Sequence, residues 1–340
     1  MCGIIGCIGD KNPLPILLDG LKRLEYRGYD SAGVALLSNN ILSVFKKAGK
    51  VSELRMSIPA IQQNITAGIA HTRWATHGVP NDVNAHPHLD CKNEIAVIHN
   101  GIIENYHAIR TKLEGEGHRF LSMTDTEVIA HLIEEMIKYS GDLETAVRLA
   151  LRQVEGTYGI AVLSSLEPDK IIAARKGSPL LIGVGKNEHY IASDAAAIVH
   201  YTRNVAYLED GEIAVLKKDS FETKTIDNED IEKQVHQVTI DIAEIEKGGF
   251  EHFMLKEIME QPETLRNSMR GRVLLDVGNA KLSGLQDVLP TLENAQRVII
   301  TACGTSWHAG LVGEYMLEQY GRIPVEVEYA SEFRYRNPII

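Results

Sequence analysis

Short apolar runs typical of β-strands recur through the first two thirds of the chain and most strongly constrain its fold. They predict strands at residues 32–37, 95–99, 159–164, 170–174, 180–184 and 212–216. The clearest helical pattern is TDTEVIAHLIEEMIK, in which apolar residues recur at the i, i+3, i+4 spacing of one buried face. Groups of strands separated by helices favour an α+β fold, with antiparallel sheets and the helices outside them.

The pattern changes twice further along the chain, which predicts three regions. Residues 1–225 carry the strands, and residues 226–295 form a polar connector with one amphipathic helix. Residues 296–340 show strand, glycine-containing turn, helix and strand, the signature of a parallel βαβ unit. A parallel sheet needs more strands and helices on both faces. We therefore expect the chain to be a fragment of a longer protein.

Composition excludes several classes of function. The 340 residues carry a formal net charge of −11, which argues against a nucleic-acid partner. No apolar run approaches the roughly 20 residues needed to cross a bilayer, and no signal peptide precedes the first strand. We predict a cytoplasmic protein with no membrane partner. The four cysteines form no CxxC pair, so neither a disulfide framework nor a zinc ribbon is indicated.

The chain opens MCGIIGCIGD, which places a cysteine beside the initiator methionine. If Met1 stays, Cys2 is an ordinary terminal thiol. If Met1 is removed, Cys2 carries a thiol and a free α-amine, whose unperturbed pKa of about 7.7–8.0 lets it accept the thiol proton. The isoleucines that follow are typical of a buried strand. This pattern predicts that Cys2 is held within the fold and that Cys7 only packs.

Residues 70–88 are rich in histidine and invite a metal hypothesis. The histidines of this stretch and just beyond it are His71, His77, His86, His88 and His99. No HExxH spacing occurs, and a glycine and two prolines interrupt the stretch, so we predict a loop without metal. In that loop Arg73 suits a carboxylate, Trp74 offers a lid-like surface and Thr76 a hydroxyl. These features favour a substrate loop over the alternative of surface packing.

One polar segment follows an apolar strand, and another precedes the predicted helix. The Asn100-Gly101 dipeptide at the strand end favours a turn, and the alternative is an oxyanion hole made by the Asn100 amide and the Gly101 N–H. Thr124 and Glu127 have capping-box spacing, which predicts that Asp125 lies in the first helical turn. The alternative for Asp125 is binding of an ammonium group.

Two further segments carry candidate residues. Arg27, Gly28 and Asp30 in EYRGYDSAG are consistent with a charged turn. The sequence CGTS, residues 303–306, stands at a strand-to-helix turn, where free N–H groups and the helix dipole form an anion site. Because no GxxxxGK[ST] loop occurs, a sugar phosphate fits this site better than a nucleotide.

The motifs MCGIIG, YRGYDSAG, HTRWATHG, NAHPH, HNGIIEN and TDTEVIAHL, in this order, resemble the glutaminase domain of the class II, N-terminal-nucleophile amidotransferases. RKGSPLLIG, IASD, ACGTS and ASEFRYR narrow the resemblance to the glutamine:fructose-6-phosphate amidotransferase family. It runs across essentially the whole chain. It implies a four-layer αββα domain followed by the start of a doubly wound sugar-isomerase (SIS) domain. It also implies the substrates L-glutamine and D-fructose 6-phosphate, no cofactor, and a homodimer in the full-length form.

The resemblance implies a role for each matching residue. Cys2 is the nucleophile once Met1 is removed, with its own amine as base, and Asn100 and Gly101 form the oxyanion hole. The other implied roles are the carboxylate clamp Arg73, the ammonium partner Asp125, the glutamine neighbours Thr76 and His77, the lid and ammonia gate Trp74, the supporting residues Arg27 and Gly28, and the sugar-phosphate loop Cys303, Gly304, Thr305 and Ser306.

The chain departs from the family pattern at its end, because the second phosphate loop and the isomerase acid and base residues do not occur. We therefore expect glutamine hydrolysis to be retained and transfer to the sugar to be lost. Two alternatives stay open from the residues alone. One is another class II amidotransferase, which CGTS and ASEFRYR disfavour; the other is a non-catalytic protein that binds a sugar phosphate or an amino acid.

Overall fold

The computed structural model describes residues 2–59, 64–74, 78–238, 250–269, 272–274, 278–280 and 288–339. The chain divides into two compact units, Met1–Gly249 and Phe250–Ile340. This division falls inside the predicted connector, and the three predicted domain boundaries stay predictions. No helix in the described ranges is long and apolar enough to cross a membrane.

Two antiparallel sheets form the centre of the first unit. Its strands are β1 (Gly3–Gly9), β2 (Ser31–Ser38), β3 (Ile41–Ala48), β4 (Ile65–Arg73), β5 (His88–Leu89), β6 (Ile95–Ile103), β7 (Gly156–Ser164), β8 (Lys170–Lys176), β9 (Leu181–Val184), β10 (Glu188–Ala192), β11 (Asn204–Tyr207), β12 (Glu212–Lys217), β13 (Phe221–Thr225), β14 (Asp230–Ile231) and β15 (His236–Gln237). One sheet has the order β15-β11-β9-β10-β1-β4-β2-β3 and the other β14-β13-β12-β8-β7-β6-β5. The predicted strand segments lie in these strands, except that residue 180 precedes β9.

Helices cover the outer faces of both sheets. They are α1 (Pro13–Leu24), α2 (Val51–Ser57), α3 (Tyr106–Gly115), α4 (Glu127–Ser140) and α5 (Leu143–Leu151), with 3-10 turns at Glu25–Arg27 and Ala195–Ala197. Because side chains alternate along a strand, β1 sends Ile5 and Cys7 towards α1. It sends Ile4 and Ile8 into the core between the sheets.

A third core lies between the second sheet and helices α3, α4 and α5. The three cores therefore separate four layers in the order α, β, β, α, as predicted. Helix α4 follows the predicted pattern, with Val128, Ile129, Leu132 and Ile133 fully buried.

The prediction of a capping box at α4 is wrong. The N-cap residue is Thr126, which makes no side-chain cap hydrogen bond, so Asp125 precedes the helix and does not lie in its first turn. Glu127 instead accepts hydrogen bonds from the backbone N–H groups of Leu121 at 2.8 Å and Ser122 at 2.7 Å. A buried carboxylate close to two unpaired loop amides satisfies them in preference to a helix N-cap.

Two further local predictions are wrong. Asn100-Gly101 is not a turn, because β6 continues through it and pairs with β7 as far as Ile103. Residues 70–88 are not loop throughout, because β4 extends to Arg73 and His88 begins β5. In both places pairing with a neighbouring strand outweighs the local turn signals.

The second unit contains the predicted parallel pair. Strands Val298–Ala302 and Val325–Tyr329 pair in parallel, with helix Gly304–Met316 between them. The connector helix, Phe253–Met269, continues through Pro262. Other described elements are strands Val273–Leu274 and Asn279–Ala280, helices Leu289–Glu293 and Ala330–Tyr335, and a π-helical turn at Leu317–Gly321.

Candidate active site around Cys2

Cys2 lies directly before β1 and faces the end of β4. Gly3 pairs with Thr72 in the sheet, and the backbone N–H of Trp74 donates to the Cys2 Sγ at 3.2 Å. Burial raises the pKa of the Cys2 thiol, while the Trp74 N–H and the charge of Arg73 act to lower it. A hydrogen-bond donor and a cation are the groups that stabilise a thiolate.

Gly28 lets another segment approach this strand end. A Cβ atom on Gly28 would lie 2.9 Å from the carbonyl carbon of Arg73 and 3.0 Å from the Trp74 nitrogen. These are backbone atoms, so a side chain here would displace the N–H group that contacts Cys2. The Asp30 N–H also donates to the Arg73 carbonyl at 3.0 Å. Arg27 belongs to the 3-10 turn before Gly28, and its side chain lies outside the described part.

Asn100 connects the second sheet to the nucleophile. Its Nδ2 donates to the Cys2 carbonyl oxygen at 3.2 Å, and its Oδ1 lies 2.9 Å from Nε2 of His71 on β4. A carbonyl oxygen only accepts, so the amide nitrogen must face Cys2 and His71 must donate to Oδ1. Within the described part of the chain, the bond to the Cys2 carbonyl oxygen is the one hydrogen bond of the amide nitrogen, so its second N–H can donate to a bound molecule.

Three buried histidines, His71, His86 and His88, support this arrangement as neutral groups. Burial lowers the pKa of His71 to about 3, and burial also lowers the pKa of His86 and of His88. His88 Nε2 lies 3.0 Å from Thr124 Oγ1, and His99 Nδ1 lies 2.9 Å from a threonine hydroxyl. These contacts give the described histidines of the stretch structural roles.

Gly101 follows Asn100 in a conformation that favours glycine. Its φ is +136°, and a Cβ atom there would lie 2.1 Å from the Thr157 carbonyl oxygen. A substitution would therefore strain the backbone and clash with β7. The glycine allows the backbone to turn beside the Asn100 amide.

Arg73 lies near the Cys2 thiol, and the Asp125 carboxylate lies near Arg73. Arg73 is 4% and Asp125 5% exposed. Burial lowers the pKa of the Arg73 guanidinium, and the nearby groups of Cys2, Asp125 and Asp30 oppose that shift. Oδ2 of Asp125 accepts the Ile103 N–H at 2.8 Å, which fixes the carboxylate at the end of β6. Guanidinium and carboxylate groups suit the two charged ends of an amino acid.

Comparisons with known proteins agree with this geometry. The glutamine amidotransferase domain family matches residues 71–200, and the SIS domain family matches residues 291–340. Over its whole length the chain is 58% identical to the glutamine--fructose-6-phosphate aminotransferase of Chlorobaculum tepidum. It is 55% identical to the protein of the same name from Bacteroides thetaiotaomicron.

The chain belongs to the glutamine--fructose-6-phosphate aminotransferase family. It covers 56% of each of these two relatives, so it spans about half the length of the members it matches.

Solved structures support the fold of this family member. The allosteric regulatory enzyme of purine biosynthesis aligns with a TM-score of 0.57 at 27% identity, covering 66% of this chain and 49% of that one. Glutamine phosphoribosylpyrophosphate amidotransferase from B. subtilis aligns with a TM-score of 0.58 at 20% identity. This second alignment covers 100% of this chain and 71% of the other, and it shows the fold alone. The four-layer fold is thus that of an N-terminal-nucleophile amidotransferase.

The structure brings together most of the predicted glutamine-site residues. Trp74 is 46% exposed and meets the ring of Tyr29 edge to face, with 5.6 Å between ring centroids. Thr76 and His77 lie outside the described residues. Cys7 is fully buried, and burial raises the pKa of its thiol to about 12. Cys2 is partly exposed, whereas Cys7 packs in the core, as predicted.

The predicted sugar-phosphate loop lies in the second unit. Cys303 is the N-cap residue of helix Gly304–Met316, and no side chain caps the helix N-terminus. Gly304 has a φ of +59°, a conformation that suits glycine. The helix N-terminus therefore carries backbone N–H groups beside Thr305 and Ser306, as the anion-site hypothesis requires.

Sequence reasoning missed one cluster of polar residues. Cys91, His118, His131 and Glu134 direct a sulfur, two nitrogens and an oxygen to one point within the first unit. The sequence feature that could have indicated these ligands is the i, i+3 spacing of His131 and Glu134, which places both on one face of α4.

Proposed function

We propose that the first unit hydrolyses L-glutamine with Cys2 as the nucleophile. We further propose that the longer protein delivers the ammonia to D-fructose 6-phosphate, giving L-glutamate and D-glucosamine 6-phosphate. The observation that carries the proposal is the convergence of the Trp74 N–H, the Asn100 amide and the Arg73 guanidinium on Cys2. The names of the relatives support the choice of acceptor.

The first step needs a thiolate and a base. With Met1 removed, the α-amine of Cys2 takes the thiol proton, because its unperturbed pKa lies near neutrality. The Trp74 N–H and the charge of Arg73 stabilise the sulfur anion against the cost of burial. The sulfur then attacks the side-chain amide carbon of glutamine.

The tetrahedral intermediate carries its negative charge on the former amide oxygen. The free N–H of the Asn100 amide and the backbone N–H of Gly101 donate to that oxygen in the proposal. Such donors commonly contribute about 10²–10³-fold each to kcat. The C–N bond breaks as the amine returns its proton to the leaving ammonia. A water molecule then attacks the glutamyl thioester, releasing L-glutamate and the Cys2 thiol.

Charged residues hold the substrate in this orientation. Arg73 binds the α-carboxylate of glutamine through its guanidinium fork, and Asp125 binds the α-ammonium with the oxygen not engaged by Ile103. Thr76 and His77 contact the bound glutamine, and Trp74 closes over it and gates the ammonia. Arg27 and Gly28 order the backbone around the nucleophile.

The second unit supplies part of a sugar-phosphate site in this proposal. Residues Cys303, Gly304, Thr305 and Ser306 bind the phosphate of D-fructose 6-phosphate at the helix N-terminus. We expect a polypeptide of these 340 residues to release glutamate without forming glucosamine 6-phosphate. Glucosamine 6-phosphate made by that polypeptide alone would overturn this part. Homodimer formation by the full-length protein and a cytoplasmic location stay predictions.

The nucleophile is tested by glutamate release from glutamine. We expect the Cys2→Ala variant to lose at least about 10³-fold in kcat/KM, as removal of a nucleophile does in other enzymes. Cys7→Ala is the matched control, since it removes a buried thiol from the same strand, and we expect it to retain hydrolysis. Intact mass should show that the active protein lacks Met1. Normal hydrolysis by Cys2→Ala would refute the assignment.

A further inference from the structure

Four potential metal ligands converge on one point beside helix α4, away from Cys2. Cys91 lies in the turn between β5 and β6, His118 follows α3, and His131 and Glu134 belong to α4. The ligand atoms are Cys91 Sγ, the Nδ1 atoms of both histidines, and Glu134 Oε2. They all lie within 4.8 Å of one another.

Five of the six separations between these atoms are close to the edges of a tetrahedron around one ion. Cys91 Sγ lies 3.6 Å from His118 Nδ1 and 3.4 Å from His131 Nδ1. The two Nδ1 atoms are 3.3 Å apart, and Glu134 Oε2 lies 3.2 Å from the first and 3.6 Å from the second. Ligands bonded at about 2.0–2.3 Å around a tetrahedral ion lie about 3.3–3.6 Å from each other.

The outer ring nitrogen of His118 indicates which tautomer it adopts. His118 Nε2 lies 3.2 Å from Glu135 Oε2, whereas His131 Nε2 lies 3.7 Å from Glu127 Oε1, beyond hydrogen-bond distance. The Glu135 carboxylate keeps the proton of His118 on Nε2, so the Nδ1 lone pair of His118 points inward. This lone pair, the Nδ1 of His131, a carboxylate oxygen and a sulfur then face one another. A cation between them removes that repulsion.

The backbone also orients this cluster. The Cys91 N–H donates to Glu134 Oε2 at 3.1 Å, and the backbone N–H of Arg119 bonds to the Cys91 sulfur. His118, His131 and Glu134 are all buried, whereas Cys91 is exposed. A cavity of about 540 Å³ lined in part by Cys91 and His131 gives an ion a route to the site.

We propose that Cys91, His118, His131 and Glu134 bind one Zn²⁺ ion in a tetrahedral site that fixes helix α4 to the β5–β6 turn. A mixed set of sulfur, imidazole nitrogen and carboxylate oxygen in tetrahedral geometry favours zinc over magnesium or calcium. Four protein ligands leave no open position for substrate, so the ion is structural. Glu135 is the outer partner that orients the His118 imidazole.

The proposed zinc site is connected to the glutamine site through helix α4. Asp125 lies two residues before the start of α4, at Glu127, and His131 lies one turn into the helix. An ion that holds α4 against the β5–β6 turn therefore holds the segment that carries Asp125. This link depends on the proposed role of Asp125, but zinc binding itself does not depend on glutamine hydrolysis.

The first test is the metal content of the purified full chain, measured by elemental analysis after dialysis against buffer without chelator. We expect about one zinc per chain in the wild type, as for a site with four protein ligands. Cys91→Ala should lose most of it, and exposed His107→Ala should keep it. Wild-type protein without zinc, or Cys91→Ala with full zinc content, would overturn the proposal.

A neighbouring group of potential ligands requires a second control. Glu116, His118 and Glu135 also bring ligand atoms within 4.8 Å of one another. Glu116→Gln removes a ligand of this second group and none of the first, so we expect unchanged zinc content. Loss of zinc in Glu116→Gln, together with its retention in Cys91→Ala, would place the ion in the second group and refute the four-ligand site.

Cobalt substitution tests the geometry without relying on a variant that folds. The wild-type protein stripped of zinc and reloaded with Co²⁺ should show intense visible bands of a tetrahedral ion and a near-ultraviolet sulfur-to-cobalt band. The sulfur band should be missing in Cys91→Ala. Zinc should also raise the melting temperature by about 5–10 °C. A weak octahedral cobalt spectrum in the wild type would contradict the proposal.

Discussion

Cys2 and Cys91 are two cysteines of the same unit with opposite surroundings. Around Cys2 the neighbours are donors and a cation, namely the Trp74 N–H and Arg73. Around Cys91 they are mostly atoms with lone pairs, on two histidines and a glutamate. Burial raises the pKa of the Cys2 thiol, and partial desolvation of the sulfur together with the Glu134 carboxylate raises that of Cys91, an exposed residue. The groups around each sulfur, rather than its burial, therefore indicate whether it serves as a nucleophile or as a metal ligand.

Helix α4 connects the two environments. The segment before it places Asp125 against the end of β6, and the helix itself carries His131 and Glu134. In the two proposals, the Cys2 sulfur attacks the substrate, and the Cys91 sulfur binds the ion that holds the segment carrying Asp125. Chemistry and positioning should respond separately to substitution of the two cysteines.

The largest effect should come from comparing Cys2→Ala with Cys91→Ala. We expect Cys2→Ala to lose at least about 10³-fold in hydrolysis while it retains full zinc. Cys91→Ala should lose zinc, and its kcat should fall less than about tenfold, because Cys91 contacts none of the reacting groups. The measurements are glutamate release and metal content for each variant.

The double variant, Cys2→Ala with Cys91→Ala, tests whether the glutamine site and the zinc site act independently. Its loss of hydrolysis should equal that of Cys2→Ala within error, and its zinc content that of Cys91→Ala. If folded Cys91→Ala were as inactive as Cys2→Ala, the distinction between nucleophile and positioning ligand would fail.

A smaller effect is expected at Asn100. Asn100→Ala removes an N–H donor near the nucleophile, and we expect a loss of about 10²–10³-fold in kcat with little change in KM. Asn100→Asp preserves the shape and the oxygen that accepts from His71, but replaces the donor with a negative charge. It should be at least as impaired. Asn100→Asp with normal kcat would exclude an oxyanion role for the amide nitrogen.

The parts of the fold that sequence predicts are those governed by periodicity. The buried pattern of β1 and the helical spacing in α4 each report which face meets a core, and both predictions are confirmed. Asn100-Gly101 and the Thr124–Glu127 spacing were misjudged because strand pairing and loop amides compete with the local signal. Local propensity does not include those tertiary partners.

The metal cluster was missed for a different reason. Its residues are far apart in sequence, since His118 stands 27 positions after Cys91 and His131 stands 13 positions after His118. No paired cysteines or histidines mark it, so only the packing of α4 against the β5–β6 turn brings the ligands together. The spacing of His131 and Glu134 shows a shared helix face, but it does not show what else that face meets.

The smallest effect concerns His71. It is a neutral histidine near Cys2, in contrast to His118 and His131, the two proposed zinc ligands. Its folded pKa is lowered from 6.5 to about 3 by burial. Between these values the unfolded chain binds a proton that the folded one does not, so stability falls as the pH decreases. One such group contributes a slope of about 1.4 kcal/mol per pH unit to the free energy of unfolding.

His71→Gln should remove this slope while an N–H donor for Asn100 is retained. Urea unfolding at several pH values between 6.5 and 3 should therefore show a shallower acid dependence in this variant than in the wild type. The exposed His107→Gln serves as control and should follow the wild type. An unchanged slope in His71→Gln would mean that His71 is protonated in the folded protein. It could then not be the fixed neutral donor that directs the Asn100 amide towards Cys2.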